Sequence, residues 1–271
     1  GMYAFADCIS LEKMNSTTAG TIHLPTGLTI ISDYTFKGCA EIKKIVIGEI
    51  TSVGKYAFSG CESIAQFNSN TNGELIVPSG VTTIGEFAFE NLTSITKVVV
   101  PDTVIQIDHG AFKGCNGIVN ITLPFVGYSA TSNESNSATF GYIFGRYTSS
   151  ASSKPTGTVY QGWGKYSDSY LITGTSGYNK SYYSYYYADY YYIPTTIKNV
   201  TITSDTTIPY GAFQNCDFIE SITIPTTTTS IGPFAFKNCK GLTEMNLGTS
   251  LTTVGMYAFA DCISLEKMNS T

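Results

Sequence analysis

The chain has 271 residues and a formal net charge of −5, and only 13% of its residues are charged, about half the share found in an average soluble domain. It is long enough to bury a core. With one arginine, Arg146, and no cluster of lysines, it lacks the phosphate-neutralising surface of a nucleic-acid binder, and no apolar run approaches the ~18 residues that span a bilayer.

In chain order, the recurring element is a small residue followed by phenylalanine. The pairs are Ala4-Phe5, Thr35-Phe36, Ala57-Phe58, Ala88-Phe89 and Ala111-Phe112, then Ala212-Phe213, Ala235-Phe236 and Ala258-Phe259. From Phe89 to Phe112, Phe213 to Phe236 and Phe236 to Phe259 the step is 23 residues, and from Phe36 to Phe58 it is 22. Two steps, Phe5 to Phe36 and Phe58 to Phe89, are 31, and one, Phe112 to Phe213, is 101. A fixed period with occasional insertions is the signature of a solenoid, in which each unit buries its apolar face against its neighbours.

Each unit reads roughly I-G-x-x-A-F-x-x-C-x-x-L-x-x-I-x-I-P-x-x-V. The alternation in L-x-x-I-x-I predicts half-buried strands over 95–100, 118–123, 197–202, 219–224 and 242–247. Pro101, Pro124, Pro225 and Gly248 follow and end the strands, since proline cannot donate to a ladder. The A-F-x-x-C segment is too short for a full helix and predicts a 3₁₀ or single-turn corner that drives Phe inward. The fold expected is therefore mainly β with short 3₁₀ corners, a solenoid with a parallel sheet and units of about 23 residues.

These motifs resemble the BspA-type leucine-rich repeats of bacterial and some protozoal surface proteins. The resemblance implies a curved solenoid with a parallel sheet on one face, an extracellular, cell-surface location, and adhesion to host or microbial surfaces. It implies no catalytic activity and no cofactor, and it maps no ligand site onto particular residues.

Residues 1–17, GMYAFADCISLEKMNST, recur unchanged at 255–271. The expectation is one solenoid over 1–271 that belongs to a longer array, monomeric, with uncapped ends that could stack head-to-tail. The interval 125–192 departs from the pattern and reads as one large insertion. It holds Phe140-Gly141-Tyr142-Ile143-Phe144, a degenerate corner, and the single tryptophan, Trp163. Twelve of the 20 tyrosines fall between Tyr160 and Tyr192. Solenoid insertions emerge as loops and often form binding surfaces.

The seven cysteines, Cys8, Cys39, Cys61, Cys115, Cys216, Cys239 and Cys262, share one repeat position, which Leu92 takes once. An odd count without a C-x-x-C pair argues against disulfides and metal, so a ladder of buried thiols is expected. His23 falls at an outward strand position and His109 before a corner glycine, with no partners in register for a triad or a zinc site. Outward strand positions form two columns, one through Lys13, Lys44, Gln66, Lys97, Asn120, Asn199, Ser221, Glu244 and Lys267, the other through Asn15, Val46, Asn68, Val99, Thr122, Thr201, Thr223, Asn246 and Asn269. Such ladders stabilise a sheet by side-chain pairing; they could also dock a polar ligand.

Trp163, Tyr182, Tyr183, Tyr185, Tyr186, Tyr187, Tyr190, Tyr191 and Tyr192 are the candidate ligand-binding residues. Tyrosine brings large contact area at low entropy cost; the same residues could instead pack a local subcore. The function expected is a non-enzymatic recognition or adhesion module for a surface protein or glycan. The alternatives are a spacer stalk and, last, a glycan-active enzyme using Glu134 or Asp168.

Overall fold

A computed structural model describes residues 1–132, 135–147, 157–163 and 187–270. The repeating segments wind into a β-solenoid whose main face is an 11-stranded parallel sheet. Its strands, in spatial order, are Lys13–Met14, Thr21–His23, Lys44–Val46, Gln66–Phe67, Glu74–Ile76, Lys97–Val99, Asn120–Leu123, Asn199–Ile202, Ser221–Thr223, Glu244–Leu247 and Lys267–Ser270. Inward-facing strand residues form a buried row through Ile22, Ile45, Phe67, Leu75, Val98, Ile121, Val200, Ile222 and Met245, and Leu123 and Ile202 are buried as well. Strands begin two residues later than the alternation predicts, because the first isoleucine closes a turn: the Ile95 and Ile118 amides donate to Leu92 and Cys115 carbonyls.

The corners keep the three-residue hydrogen-bond spacing of a 3₁₀ turn but do not form a helix. In the Phe36 corner, the amide of Lys37 donates to Tyr34 at 3.2 Å and that of Cys39 to Phe36 at 3.1 Å. Tyr34 and Gly38, two residues before and after Phe36, have φ of 58° and 75°, in the left-handed region that interrupts helical continuation. Gly60, Asn91, Gly114, Asn215, Asn238 and Asp261 hold the place of Gly38 in other corners, all at positive φ. That geometry explains why glycine, asparagine or aspartate precedes each cysteine or its Leu92 replacement.

Successive corners are joined by the phenylalanine amide, which donates to the small residue of the next unit, as in Phe36 to Ala57, Phe58 to Ala88 and Phe89 to Ala111, each at 2.8 Å. The rings stack inside, Phe36 on Phe58 at 5.4 Å and Phe213 on Phe236 at 5.5 Å. Cys39, Cys61, Cys115, Cys216 and Cys239 are buried. The Sγ of Cys61, Cys115 and Cys239 donates to the corner phenylalanine carbonyl of the preceding unit at 2.9–3.1 Å. Cys8 is exposed and Cys262 half-buried, a departure from the expected buried ladder, because each lies in a terminal turn with a neighbouring turn on one side.

The two 31-residue steps carry an extra strand rather than a simple bulge. Lys13–Met14 pairs in parallel with Thr21–His23, in the register Lys13 with Thr21, and Gln66–Phe67 pairs with Glu74–Ile76, Gln66 with Glu74. Each pair is bridged by a loop of sequence Asn-Ser-x-Thr-x-Gly, residues 15–20 and 68–73. Both loops open on a left-handed asparagine, Asn15 (φ 52°) and Asn68 (φ 51°), and close on a left-handed glycine, Gly20 and Gly73. Thr21, His23, Glu74 and Ile76 therefore join the outward columns read from the sequence.

The insertion keeps the corner ladder unbroken. Phe140–Phe144 forms a 3₁₀ helix; the Phe112 amide donates to Ile143 and the Phe140 amide to Ala212, both at 2.9 Å. Asn120–Leu123 then pairs directly with Asn199–Ile202. The second ladder, on another face, is divided: Ile30–Ile31, Ser52–Val53, Thr83–Ile84 and Gln106–Ile107 form one sheet, while Thr207–Ile208, Ser230–Ile231 and Thr253–Val254 form another.

Candidate functional site

The tyrosine-rich segment is organised by an antiparallel hairpin of Val159–Trp163 and Tyr187–Tyr191, in which Tyr160 opposes Tyr190. Alternation along a strand sends neighbouring side chains to opposite sides, and the tyrosines divide accordingly. Tyr191 is fully buried, and its hydroxyl donates to the Asn136 carbonyl at 3.0 Å; desolvation raises its phenol pKa. It packs rather than faces a ligand. Tyr160 is 37% exposed, and its ring lies 5.1 Å from the half-buried Tyr190 ring, tilted by 55°. Tyr192 meets Tyr147 edge-on at 5.9 Å.

The hairpin is pinned to the solenoid by Gln161, a buried residue whose role the sequence did not disclose. Its Oε1 accepts from the Gly141 amide at 2.7 Å and its Nε2 donates to the Ala212 carbonyl at 3.1 Å. Gln214 Oε1 accepts from the Gly162 amide at 2.8 Å, and Asn215 Nδ2 donates to the Tyr160 carbonyl at 2.6 Å. Arg146 pairs with Asp189 at 3.5 Å, and His109 Nε2 accepts from the Arg146 amide at 2.8 Å, which gives that histidine a structural task.

Between hairpin and corners lies an open groove of about 810 Å³, with Tyr160 and Tyr190 on one wall and Asn215, Asn238, Asp217 and Lys240 on the other. Asn238 Nδ2 donates to Asn215 Oδ1 at 2.8 Å, so the corner asparagines form a short amide ladder along that wall. Burial raises the Tyr160 pKa, so at neutral pH its hydroxyl is a neutral donor and acceptor. Aromatic faces beside amides suit a partner that offers apolar surface and hydroxyl or amide groups. Trp163 and Tyr187 sit in the hairpin strands, but their side chains, like all of Tyr182, Tyr183, Tyr185 and Tyr186, lie outside the described residues, as do Glu134 and Asp168.

Among the described residues no group of three His, Cys, Asp or Glu side chains could hold a metal ion, and no helix is long and apolar enough to cross a membrane. The model of the BspA-type leucine-rich repeat region matches in six copies, over residues 1–124, 66–140 and 186–271. The chain belongs to the BspA-type leucine-rich repeat family. Solved structures similar to this BspA-type chain include a leucine-rich repeat protein of T. pallidum, with 16% identity and a TM-score of 0.39, covering 91% of this chain and 78% of that one. Another is a leucine-rich repeat protein of Bacteroides ovatus, with 19% identity and a TM-score of 0.36 over 99% of this chain and 81% of that one. A third is a leucine-rich cell-surface protein of Faecalibacterium prausnitzii, with 16% identity and a TM-score of 0.27 over 93% and 79% of the two chains. No curated protein matches the chain.

Proposed function

We propose that this BspA-type chain is a non-enzymatic cell-surface recognition module, and that the groove of Tyr160 and Tyr190 receives a protein or glycan ligand. The observation that carries the reading is the exposed Tyr160 ring beside the half-buried Tyr190 ring, on a hairpin held by buried amide hydrogen bonds against a regular scaffold. A preorganised aromatic surface loses little entropy when it binds. The extracellular location and the expected monomeric state belong to the same proposal.

The test is binding of the chain to arrays of extracellular-matrix proteins and glycans, beside the double substitution Tyr160→Ala/Tyr190→Ala. The expected result is saturable binding that falls at least tenfold in the double variant while circular dichroism and melting temperature stay unchanged. Binding that is equal in both proteins would remove the groove from the proposal. The continuous 11-stranded sheet favours a rigid spacer as the second reading, and that reading leads if neither protein binds.

A further inference from the structure

The two Asn-Ser-x-Thr-x-Gly loops stand on the outward face of the main sheet, remote in sequence from the tyrosine hairpin. Three strands, Thr21–His23, Lys44–Val46 and Gln66–Phe67, lie between the loops. With strands about 4.8 Å apart, the loops stand roughly 14 Å from each other, centre to centre. Together they enclose a groove of about 870 Å³, walled by Thr18 of one loop and by Asn70 and Asn72 of the other.

Each wall is a built element. The Thr18 amide donates to Ser16 Oγ at 3.1 Å and the Thr71 amide to Ser69 Oγ at 3.0 Å, the same turn in both loops. Gly20 anchors the first loop by accepting from the Lys43 and Lys44 amides at 2.8 and 2.9 Å, and Gly73 anchors the second by accepting from Thr96 and Lys97. Lys44 Nζ reaches Asn70 Oδ1 at 2.9 Å, and Gln66 Nε2 reaches the Asn70 carbonyl at 3.3 Å, so the floor holds the second wall.

The polar part of the lining is hydroxyl, amide and ammonium, with the His23 imidazole and the apolar Val46 and Ala65 beside it. Among the described residues no carboxylate pairs with Lys43 or Lys44, whereas the nearest strand carboxylate, Glu74, is engaged by Lys97 at 2.8 Å and by Ser69 at 2.5 Å. Lys44 spends one of its three N–H donors on Asn70, leaving two for a ligand. The strands of the floor satisfy their own backbone groups within the sheet, so an extended peptide would find no ladder there. A chain of sugars fits better, since each hydroxyl donates and accepts, as do the Thr, Ser, Asn and Gln side chains that surround it. The volume falls in the range of small-molecule sites, ~300–1,000 Å³.

We infer that the groove between these loops, floored by Lys44 and Gln66, binds an anionic oligosaccharide of a few units, its carboxylate or sulfate on Lys43 and Lys44 and its hydroxyls on Thr18, Asn70 and Asn72. The inference stands independently of the tyrosine groove.

Titration calorimetry of the whole chain would use four probes: a sulfated tetrasaccharide, a tetragalacturonate, neutral chitotetraose and a tetraglutamate peptide. The expected result is saturable binding of one or both anionic sugars, at least tenfold tighter than the neutral sugar and the peptide. Lys43→Gln/Lys44→Gln should weaken it by roughly tenfold or more, the scale of one or two charge-assisted hydrogen bonds. Tyr160→Ala/Tyr190→Ala and Lys37→Gln, a corner lysine, should leave it unchanged, with all variants melting as the parent does. The carboxylated and sulfated probes tell the two anion sources apart. Equal affinity for neutral and anionic sugars, tighter binding of the peptide, insensitivity to the paired lysine change, or no saturation by any probe up to millimolar concentration would each overturn the inference.

Discussion

Asp205 shows how one residue ties the insertion to the repeats. It is 2% exposed, its Oδ2 accepts from the Val126 amide at 2.7 Å, and its carbonyl accepts from the Thr228 hydroxyl at 2.8 Å. Burial pushes its carboxyl from 3.8 up to about 7, partly opposed by the Val126 hydrogen bond. The folded chain therefore binds more protons than the unfolded chain between about pH 4 and pH 7, so this group's contribution to stability falls as pH rises through that window. The full swing is at most about 4 kcal/mol. Denaturant midpoints measured from pH 4 to pH 8 should decline more steeply for the parent than for Asp205→Asn; parallel profiles would show that the site is wet. At the same scale, Leu92 stands where other units have cysteine. It fills the space, but it cannot donate to the preceding phenylalanine carbonyl as Cys61 and Cys115 do.

At the scale of the element, the hairpin is held both by burial of Val159 and Tyr191 and by polar contacts. Gln161 satisfies the Gly141 amide and the Ala212 carbonyl in a buried setting. Removing it strands both groups, each at a cost of about 1–3 kcal/mol. Gln161→Ala should lower stability by about 2–4 kcal/mol and release the hairpin, read as faster limited proteolysis between residues 157 and 163. Proteolysis no faster than in the parent would mean that Tyr191 and the Asn215 contact suffice. The corner, by contrast, rests on a conformational rule. It needs a left-handed residue after the inward phenylalanine, and Gly38, Gly60 and Asn91 meet that need by different means: glycine has no Cβ to clash, and asparagine tolerates the region through its short polar side chain. The sequence reads the corner as a 3₁₀ or single-turn corner, and the three-residue hydrogen-bond spacing agrees; the left-handed residues two positions before and after Phe are what the structure adds.

Across the whole molecule, stability accumulates from neighbour to neighbour, as in any solenoid. Phe58 touches rings on both sides, Phe36 at 5.4 Å and Phe89 at 5.9 Å, with Phe67 edge-on at 5.0 Å. Phe259 in the last turn is half-buried and stacks on Phe236 alone among the described rings, at 5.2 Å. Phe58→Ala should cost about 3–5 kcal/mol, within the range for a buried aromatic, and Phe259→Ala less than half as much, because only one neighbour is lost. Urea unfolding would compare them, and equal losses would contradict the nearest-neighbour picture. The main sheet runs unbroken past the insertion, whereas the second ladder is divided there.

The period, the inward phenylalanines, the buried row of each strand and the family were legible in the sequence because they follow from local pattern repeated at fixed spacing, and a solenoid contacts chiefly its own neighbours. Tertiary structure alone decided the rest. Tyr160, Tyr190 and Tyr191 look alike in sequence, and only the hairpin register sends Tyr191 into the core and Tyr160 toward the groove. Lys44, Asn70 and Thr18 are separated by up to 52 residues, yet each eight-residue addition, read from the sequence as a longer step, becomes an extra strand with a raised loop, and two such loops bring the three side chains to one groove. Local pattern fixes which residues a repeat buries; how repeats of unequal length stack fixes which surface residues meet.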